Sequence, residues 1–290
     1  LSSLMDRVAA DLRAGRPLVV QAHVALCSNE IINCGGHGLG DGDSLEKNLY
    51  WATSGGTRGW FGRKGSGWKL AHRDGGDGKG VLAVDVWTRH VSPSVAWRAR
   101  GVDKPFDAYV VAHAWRGAAI DDGVRAYLVD LFGDAPREIA LSDGTKLAAG
   151  AAAQIVAWVG HDRWMDYEDF NWAGFEALEK LGAPSKGAIA VACMTYQYLA
   201  RHTMAPNRVP LLYTRDFVFA GSHALDGALL AFLDGKSLEG IRRAGAQAYA
   251  DGERKAIGRV GYAFVNPSDK SWKLPMPEVI TIKGSGSGER

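Results

Sequence analysis

The sequence predicts an α/β protein, a three-layer sandwich in which helices cover both faces of a mostly parallel sheet. Five short apolar runs carry this prediction, and each ends in a polar or glycine-rich turn. The runs are continuous rather than alternating, which is typical of parallel strands buried on both faces. Helical patterns follow most of them, as strand–helix–strand units require. The five runs occupy residues 17–26, 107–115, 154–160, 187–192 and 208–213.

Length and composition exclude several function classes. The chain has 290 residues, of which 47% are hydrophobic and 23% charged, as in ordinary globular proteins. Its formal net charge of +2 lacks the strong basic excess of nucleic-acid binders. The longest nearly apolar windows, residues 147–160 and 187–200, are shorter than the roughly twenty residues of a membrane-spanning helix. We therefore expect neither nucleic acid nor a membrane as a partner.

The remaining elements follow from local patterns. Residues 1–16 form an amphipathic pattern that predicts an N-terminal helix. Ser44 stands at an N-cap position before a predicted short helix over residues 45–56. Residues 68–74 and 81–90 flank the loop GGDGKG and predict a β-hairpin. The whole of residues 1–283 is predicted to be one domain. Residues 252–283 of this domain are predicted to form a C-terminal β extension, and residues 284–290 are predicted to form a flexible tail.

The three cysteines leave two interpretations open. So few cysteines fit a reducing cytoplasm, and the first residues lack the unbroken apolar core of a signal peptide. The predicted location is therefore the cytoplasm. Cys27 and Cys34 are also close enough in sequence to pair across a short loop, which leaves Cys193 free.

Two residues at neighbouring strand ends predict a catalytic pair. The third apolar run ends at His161 and the fourth at Cys193. Chemistry in parallel sheets concentrates at the carboxyl ends of the strands, so both should lie on the same edge. A thiolate that attacks and an imidazole that moves the proton are the groups of nucleophilic catalysis at an acyl centre. A helix predicted from Met194 should favour the thiolate through its dipole.

This arrangement resembles the caspase-like (clan CD) cysteine peptidases, nearest in pattern to gingipain- and CHAT-like bacterial members. The shared features are an apolar strand ending in His161, a helical spacer and an apolar strand ending in Ala192-Cys193. Residues 227–250 are similar to the helices that follow the catalytic cysteine in these enzymes. The resemblance implies a cysteine endopeptidase with Cys193 as nucleophile and His161 as general base and acid. Backbone N–H groups near Asp162 and Cys193 would stabilise the oxyanion.

The implied enzyme acts on a peptide or protein substrate, and its chemistry requires no cofactor and no metal. Two positions depart from the family pattern, which usually has glycine where this chain has Asp162 and often where it has Thr195. A carboxylate at residue 162 would lie next to the developing negative charge. A catalytically inactive caspase-like binding or scaffold domain is therefore a second hypothesis.

Residues near the predicted strand ends are candidates for the walls of a substrate pocket: Cys27, Asn29, Glu30, His113, Trp164 and Asp166. Asp166 belongs to an acidic run with Asp162, Glu168 and Asp169. That run predicts either a solvated loop or a pocket for a basic side chain of the substrate.

A third hypothesis reads the stretch VGHDRW differently. It resembles the nucleophile elbow of haloalkane dehalogenases and epoxide hydrolases, which are α/β-hydrolases with an Asp nucleophile. Asp162 would then be the nucleophile and His223 the base. Trp164 stands where the strained elbow needs a second glycine. The glycine-rich loop over residues 35–43 matches no zinc or EF-hand spacing, so no metal site is predicted.

Overall fold

The computed structural model describes residues 1–167, 170–178, 180, 182–203 and 207–268. The strands in this part of the chain are β1 (Leu18–Ala25), β2 (Lys69–Asp74), β3 (Val81–Val91), β4 (Phe106–Trp115), β5 (Pro136–Ala140), β6 (Lys146–Gly150), β7 (Ile155–Val159), β8 (Lys186–Val191), β9 (Arg208–Thr214) and β10 (Phe264–Val265). The α-helices there are α1 (Ser2–Arg13), α2 (Thr57–Gly62), α3 (Val95–Arg98), α4 (Ile120–Phe132), α5 (Trp172–Glu176), α6 (Thr195–Thr203), α7 (Ser222–Leu233), α8 (Leu238–Gly252) and α9 (Ile257–Val260). Short 3₁₀ turns lie at Gly117–Ala119, Arg163–Asp166 and Gly261–Ala263.

The main sheet has the order β10-β9-β8-β7-β1-β4-β3-β2 among the described strands. The five central strands, β9, β8, β7, β1 and β4, run parallel to one another. They are the five apolar runs of the sequence. Antiparallel strands close both edges, with β3 and β2 on one side and β10 on the other. The predicted α/β fold with a mostly parallel sheet is confirmed.

Helices cover both faces of this sheet because its central strands are apolar on both sides. On one face, α1, α7 and α8 pack against residues such as Val20 and Val24 of β1. On the other face, α4 and α6 pack against Val156 and Trp158 of β7. Completely burying a side chain of this size stabilises the fold by about 1.5–3 kcal/mol. None of the helices in the described part of the chain has both the length and the apolar composition that crossing a membrane requires.

The helix predicted after Ser44 is wrong, because residues 45–56 form a series of turns. The buried side chain of Asn48 ties this loop to the end of β1. Its Oδ1 accepts hydrogen bonds from the N–H groups of Cys27 (3.0 Å) and Tyr50 (3.1 Å), and its Nδ2 donates to the Cys27 carbonyl (2.8 Å). These bonds replace the regular ones that a helix would make.

The predicted β extension over residues 252–283 is also largely wrong where the structure describes it. Helix α8 reaches Gly252, and α9 and a 3₁₀ turn follow before the two-residue strand β10. Residues 269–283 and the predicted tail over residues 284–290 lie outside the described residues. The N-terminal helix and the hairpin of β2 and β3 are confirmed.

Candidate functional site

The register of β7 and β8 brings the strand ends that precede His161 and Cys193 next to each other. Val159 is paired with Val191, and the Gly160 N–H donates to the Val191 carbonyl at 3.3 Å. His161 comes two residues after Val159, and Cys193 comes two residues after Val191. Neighbouring strands are about 4.8 Å apart. The two residues therefore leave the same edge of the sheet at equivalent positions.

The His161 ring is oriented by a carboxylate from the turn that follows it. Its Nε2 lies 2.8 Å from Oδ2 of Asp166, which also accepts from Arg163 at 2.9 Å. With the proton on Nε2, the Nδ1 nitrogen carries the lone pair that can accept a proton. Nδ1 has no hydrogen-bond partner among the described residues. Asp166 was predicted in a substrate pocket, and its observed contact is with this imidazole.

Cys193 is half-buried, and its thiol lies 3.5 Å from the Val218 carbonyl as a hydrogen-bond donor. Burial raises the pKa of this thiol above its usual value, and the nearby carboxylates of Asp162 and Asp216 raise the pKa further. The expected depression of the pKa by a helix N-terminus is therefore wrong. Helix α6 begins at Thr195, so Cys193 lies outside its first turn.

The residue after Cys193 has a strained backbone. Met194 has a φ of 54°, in the left-handed region that side chains other than glycine rarely adopt. Its N–H donates to the Asp216 carbonyl at 3.2 Å, and the N–H of Thr195 donates to Thr214 Oγ1 at 3.2 Å. Such strain costs on the order of 1–3 kcal/mol and is concentrated at active sites and switch regions. This turn is held by hydrogen bonds on both sides of the strained residue.

Asp162 is completely buried and turns back along its own chain. Its Oδ1 accepts from the Trp164 N–H at 3.1 Å, and its Oδ2 has no partner among the described residues. Burial raises the pKa of this carboxyl well above its usual range, because a carboxylate in the interior loses its hydration. Its 0% exposure gives a substrate no access to this carboxyl, which disfavours the hypothesis of an Asp162 nucleophile. His223, the base in that hypothesis, packs between Trp60 and Tyr249.

Two of the other pocket candidates lie in the interior. Trp164 is 2% exposed and packs edge-on against Tyr127 and Trp158, which makes it part of the core beneath α4. His113 is buried in β4, where its Nδ1 lies 2.5 Å from the side-chain amide of Gln21. Neither side chain offers a substrate more than a trace of surface.

The candidates after β1 belong to a closed loop. Cys27 and Cys34 form a disulfide, and both are buried. The side chain of Asn29 joins the same loop, because it accepts from the Cys34 N–H (2.9 Å) and donates to the Gly35 carbonyl (3.1 Å). Glu30 is exposed next to it. Glu168 and Asp169 of the predicted acidic run lie outside the described residues.

The walls around Cys193 come from residues that the sequence analysis missed. The pKa values of Tyr50 and Tyr249 are raised mainly by burial and also by the proximity of Cys193. Phe219 follows Val218 and packs against Tyr50 with ring centroids 5.8 Å apart. Its N–H donates to the Tyr249 hydroxyl at 3.1 Å. These residues come from three separate loops and helices, and no local motif marks them.

The described residues contain no group of three or more His, Cys, Asp or Glu side chains placed to hold a metal ion. Comparisons with protein-family models, with curated proteins and with solved structures found no match for this chain.

Proposed function

We propose that the protein is a cysteine endopeptidase of caspase-like architecture, with Cys193 as nucleophile and His161 as general base and acid. The observation that carries this proposal is the matched register of the two residues at the ends of β7 and β8. The contact between His161 and Asp166 adds to it, because it leaves Nδ1 available for the thiol proton.

In the proposed reaction, Nδ1 of His161 takes the proton of Cys193, and the thiolate sulfur attacks the carbonyl carbon of a peptide bond. The Asp166 carboxylate stabilises the imidazolium that forms. The imidazolium then protonates the leaving amine, the C–N bond breaks, and a thioester on Cys193 remains. Water, deprotonated by His161, hydrolyses the thioester and restores the thiol. Backbone N–H groups at Cys193 and Asp162 are the proposed donors to the oxyanion.

The burial of the Asp162 side chain supports this scheme. A charged carboxylate beside the oxyanion would oppose the reaction, and burial raises the pKa of this carboxyl, which disfavours its charged form. The resting thiol donates to the Val218 carbonyl, so proton transfer to His161 requires the segment of residues 215–221 to release it. We propose that substrate binding moves this segment.

The test is hydrolysis of fluorogenic peptides that differ in the residue before the scissile bond, combined with labelling by peptidyl chloromethyl ketones. We expect cleavage of at least one peptide and a covalent label on Cys193, both lost in Cys193→Ala and in His161→Ala. His202→Ala is the matched control, because His202 is another partly exposed histidine paired with a carboxylate, that of Glu176 at 2.8 Å. Cleavage that survives in Cys193→Ala would contradict the proposal.

A catalytically inactive binding domain is the second candidate function. It is favoured by the raised pKa of Cys193 and by the buried Asp162 at the position of the family's usual glycine. In that case, no peptide in the panel is cleaved and Cys193→Ala binds the same peptides with unchanged affinity.

The disulfide between Cys27 and Cys34 also bears on where the protein works. Disulfides persist in oxidising compartments and are rare in the cytoplasm. We therefore propose an oxidising environment in place of the cytoplasmic location expected from the cysteine count. Thiol titration of protein isolated from its native cell tests this, since three free thiols would contradict it.

A further inference from the structure

A short piece of chain between β9 and α7 lies across the turn that carries the proposed nucleophile. The Met194 N–H donates to the Asp216 carbonyl at 3.2 Å, and the Cys193 thiol donates to the Val218 carbonyl at 3.5 Å. We call residues 216–218 the strap. In the resting protein, two carbonyls of the strap therefore occupy the thiol and the backbone N–H that follows it.

The spacing of these two contacts is that of an extended chain. In an extended chain, residues i and i+2 face one side and residue i+1 faces the other. Asp216 and Val218 both contact the nucleophile turn, and the Phe217 side chain between them is 71% exposed. A peptide substrate that lies along this turn in extended form needs the place that the strap takes.

A tyrosine on the 3₁₀ turn that precedes β10 fastens the strap from outside. The Tyr262 hydroxyl donates to Oδ2 of Asp216 at 2.5 Å, and Oδ1 of the same carboxylate accepts from the Phe217 N–H at 2.7 Å. We call the bond between Tyr262 and Asp216 the latch. Tyr262 is 51% exposed, so the latch lies at the surface. Because one hydrogen bond makes only a small net contribution to stability, the latch can open without disturbing the core.

Both flanks of the strap are fixed to the rest of the protein. On one side, the Arg215 N–H donates to the Ala263 carbonyl at 2.9 Å and continues the pairing of β9 with β10. On the other side, the Phe219 N–H donates to the hydroxyl of the buried Tyr249 at 3.1 Å. The three residues between these bonds are held by the latch and by the nucleophile turn. They can therefore move while their flanks stay in place.

The strained backbone at Met194 links the strap to the conformation of the nucleophile turn. Its φ of 54° is held on one side by the bond to the Asp216 carbonyl and on the other by the bond from the Thr195 N–H to Thr214. Strain of this kind is concentrated at active sites and switch regions. Movement of the strap removes one of the two supports, so the strap and this turn are expected to change together.

We propose that the strap is an autoinhibitory element. In its closed position it shields the Cys193 thiol, and it opens when the latch between Asp216 and Tyr262 breaks and an extended peptide takes its place. The inference rests on the proposed function, because it describes how that site is regulated. Shielding of the thiol can nevertheless be measured without any peptidase activity.

The test is the rate at which iodoacetamide alkylates Cys193 in Tyr262→Phe and in the unaltered protein. The substitution removes the hydroxyl of the latch and keeps the charge of Asp216. We expect alkylation to be at least about threefold faster in Tyr262→Phe, because the loss of one hydrogen bond shifts the strap towards its open position. Tyr109→Phe is the matched control, since Tyr109 is a partly exposed tyrosine on β4 with its own hydrogen bond to Thr88, and its rate should be unchanged.

Electrostatics alone predicts the opposite sign. Burial raises the pKa of the Cys193 thiol, and the Asp216 carboxylate raises it further. Without its tyrosine partner this carboxylate would raise the pKa at least as much, which would slow alkylation. An equal or slower rate in Tyr262→Phe would therefore overturn the proposal.

A second readout follows the strap itself. Chymotrypsin cleaves after aromatic residues where the backbone opens locally, and Phe217 is exposed at the middle of the strap. We expect faster cleavage after Phe217 in Tyr262→Phe, with cleavage at other positions unchanged. Faster alkylation with unchanged cleavage after Phe217 would show that the thiol is exposed by another route, which would also overturn the proposal.

Peptide hydrolysis separates failure of this proposal from failure of the proposed function. Faster alkylation in Tyr262→Phe without cleavage of any peptide would support the strap and reject the peptidase. Peptide cleavage with an unchanged rate of alkylation in Tyr262→Phe would support the peptidase and reject the strap. If both proposals hold, Tyr262→Phe should lower KM by at least about threefold, because the substrate no longer has to displace a latched strap.

Discussion

Two histidine–carboxylate pairs in this protein have nearly the same geometry and opposite surroundings. Nε2 of His161 lies 2.8 Å from Asp166, and Nε2 of His23 lies 2.9 Å from Asp130. The side chains of the first pair are 14% and 32% exposed, at the end of β7. Those of the second pair are 0% and 3% exposed, beneath the hairpin of β5 and β6.

In the second pair, both ring nitrogens of the histidine and the carboxylate have hydrogen-bond partners. Nδ1 of His23 accepts from Trp115 Nε1 at 3.1 Å, and Asp130 also accepts from Arg137 at 3.3 Å. His161 keeps Nδ1 without a partner in the described part of the chain. The difference teaches that the pair alone does not indicate chemistry. An imidazole can act on a substrate when one of its nitrogens is left open at a strand end, and it only stabilises the fold when both are occupied.

Removing the open imidazole should have the largest effect on activity. His161→Ala should lower kcat/KM by about 10²–10⁴-fold, the usual contribution of a positioned acid–base group. The free energy of unfolding should change by only about 1 kcal/mol, because the ring lies at a strand end and Asp166 keeps its contact with Arg163. Peptide hydrolysis and urea denaturation measure the two quantities. A large loss of stability with unchanged kcat/KM would reverse the assignment.

Removing the carboxylate of the buried pair should lower stability strongly and change activity little. Asp130→Ala leaves His23 without its carboxylate in a buried site, and breaking a buried pair costs about 3–5 kcal/mol. The kcat/KM of the folded fraction should stay within about twofold of the unaltered protein. Urea unfolding with activity measured on native protein checks both statements. A loss of stability no larger than that of His161→Ala would contradict the structural role of the buried pair.

Asp166→Asn should lower kcat/KM by about 10–100-fold, less than His161→Ala, because the asparagine still holds the ring but stabilises the imidazolium poorly. Asp121→Asn is the matched control, since Asp121 also accepts from Arg163 (2.7 Å) without contacting the imidazole. The double variant His161→Ala/Asp166→Asn should be no worse than His161→Ala alone. Additive losses would show that Asp166 does not act through His161.

Acid should lower the free energy of unfolding through two buried histidines. Burial lowers the pKa of His113 to about 3 and that of His223 to about 4. Between these values and the ordinary value of about 6.5 the unfolded chain binds more protons, so stability is complete above about pH 6.5 and is lost as the pH falls. The urea midpoint should be lower at pH 5 than at pH 7, and His113→Gln should reduce that difference. An equal midpoint at both pH values would contradict this account.

Removal of the disulfide is expected to have the smallest effect on activity. Replacing Cys27 and Cys34 by serine opens a short loop and should cost about 2 kcal/mol of unfolding free energy, with kcat/KM unchanged. Thiol titration of the denatured, unreduced protein should find Cys193 as the free thiol. A loss of activity on removal of the disulfide would make the loop after β1 part of the site.

The sequence predicted the parts of the fold that depend on continuous apolar runs. The five central strands and the shared edge of His161 and Cys193 follow from burial on both faces, which requires such runs. The helix after Ser44 was wrong because a single buried side chain, Asn48, takes over the hydrogen bonds of the loop. The hairpin of β5 and β6 was missed, although Asp143–Gly144 is the dipeptide typical of such a turn.

The site was less predictable than the fold because its surroundings are contacts between distant segments. No spacing in the sequence connects Cys193 with Val218, Tyr50 or Tyr249. The pKa of Cys193 depends on burial by these segments, and the helix start alone predicted the wrong direction. Asp166 was recognised as acidic, but its contact with His161 depends on the 3₁₀ turn between them.

The rate at which a peptidyl chloromethyl ketone alkylates Cys193, followed by peptide mapping, tests the central claim most directly, because the peptide part of this reagent occupies the substrate site and so releases the thiol from the Val218 carbonyl. We expect His161→Ala to slow this alkylation at least about tenfold, since the imidazole is proposed to take the thiol proton. His202→Ala should leave the rate unchanged. Equal rates in the unaltered protein and in His161→Ala would show that the two residues do not act together.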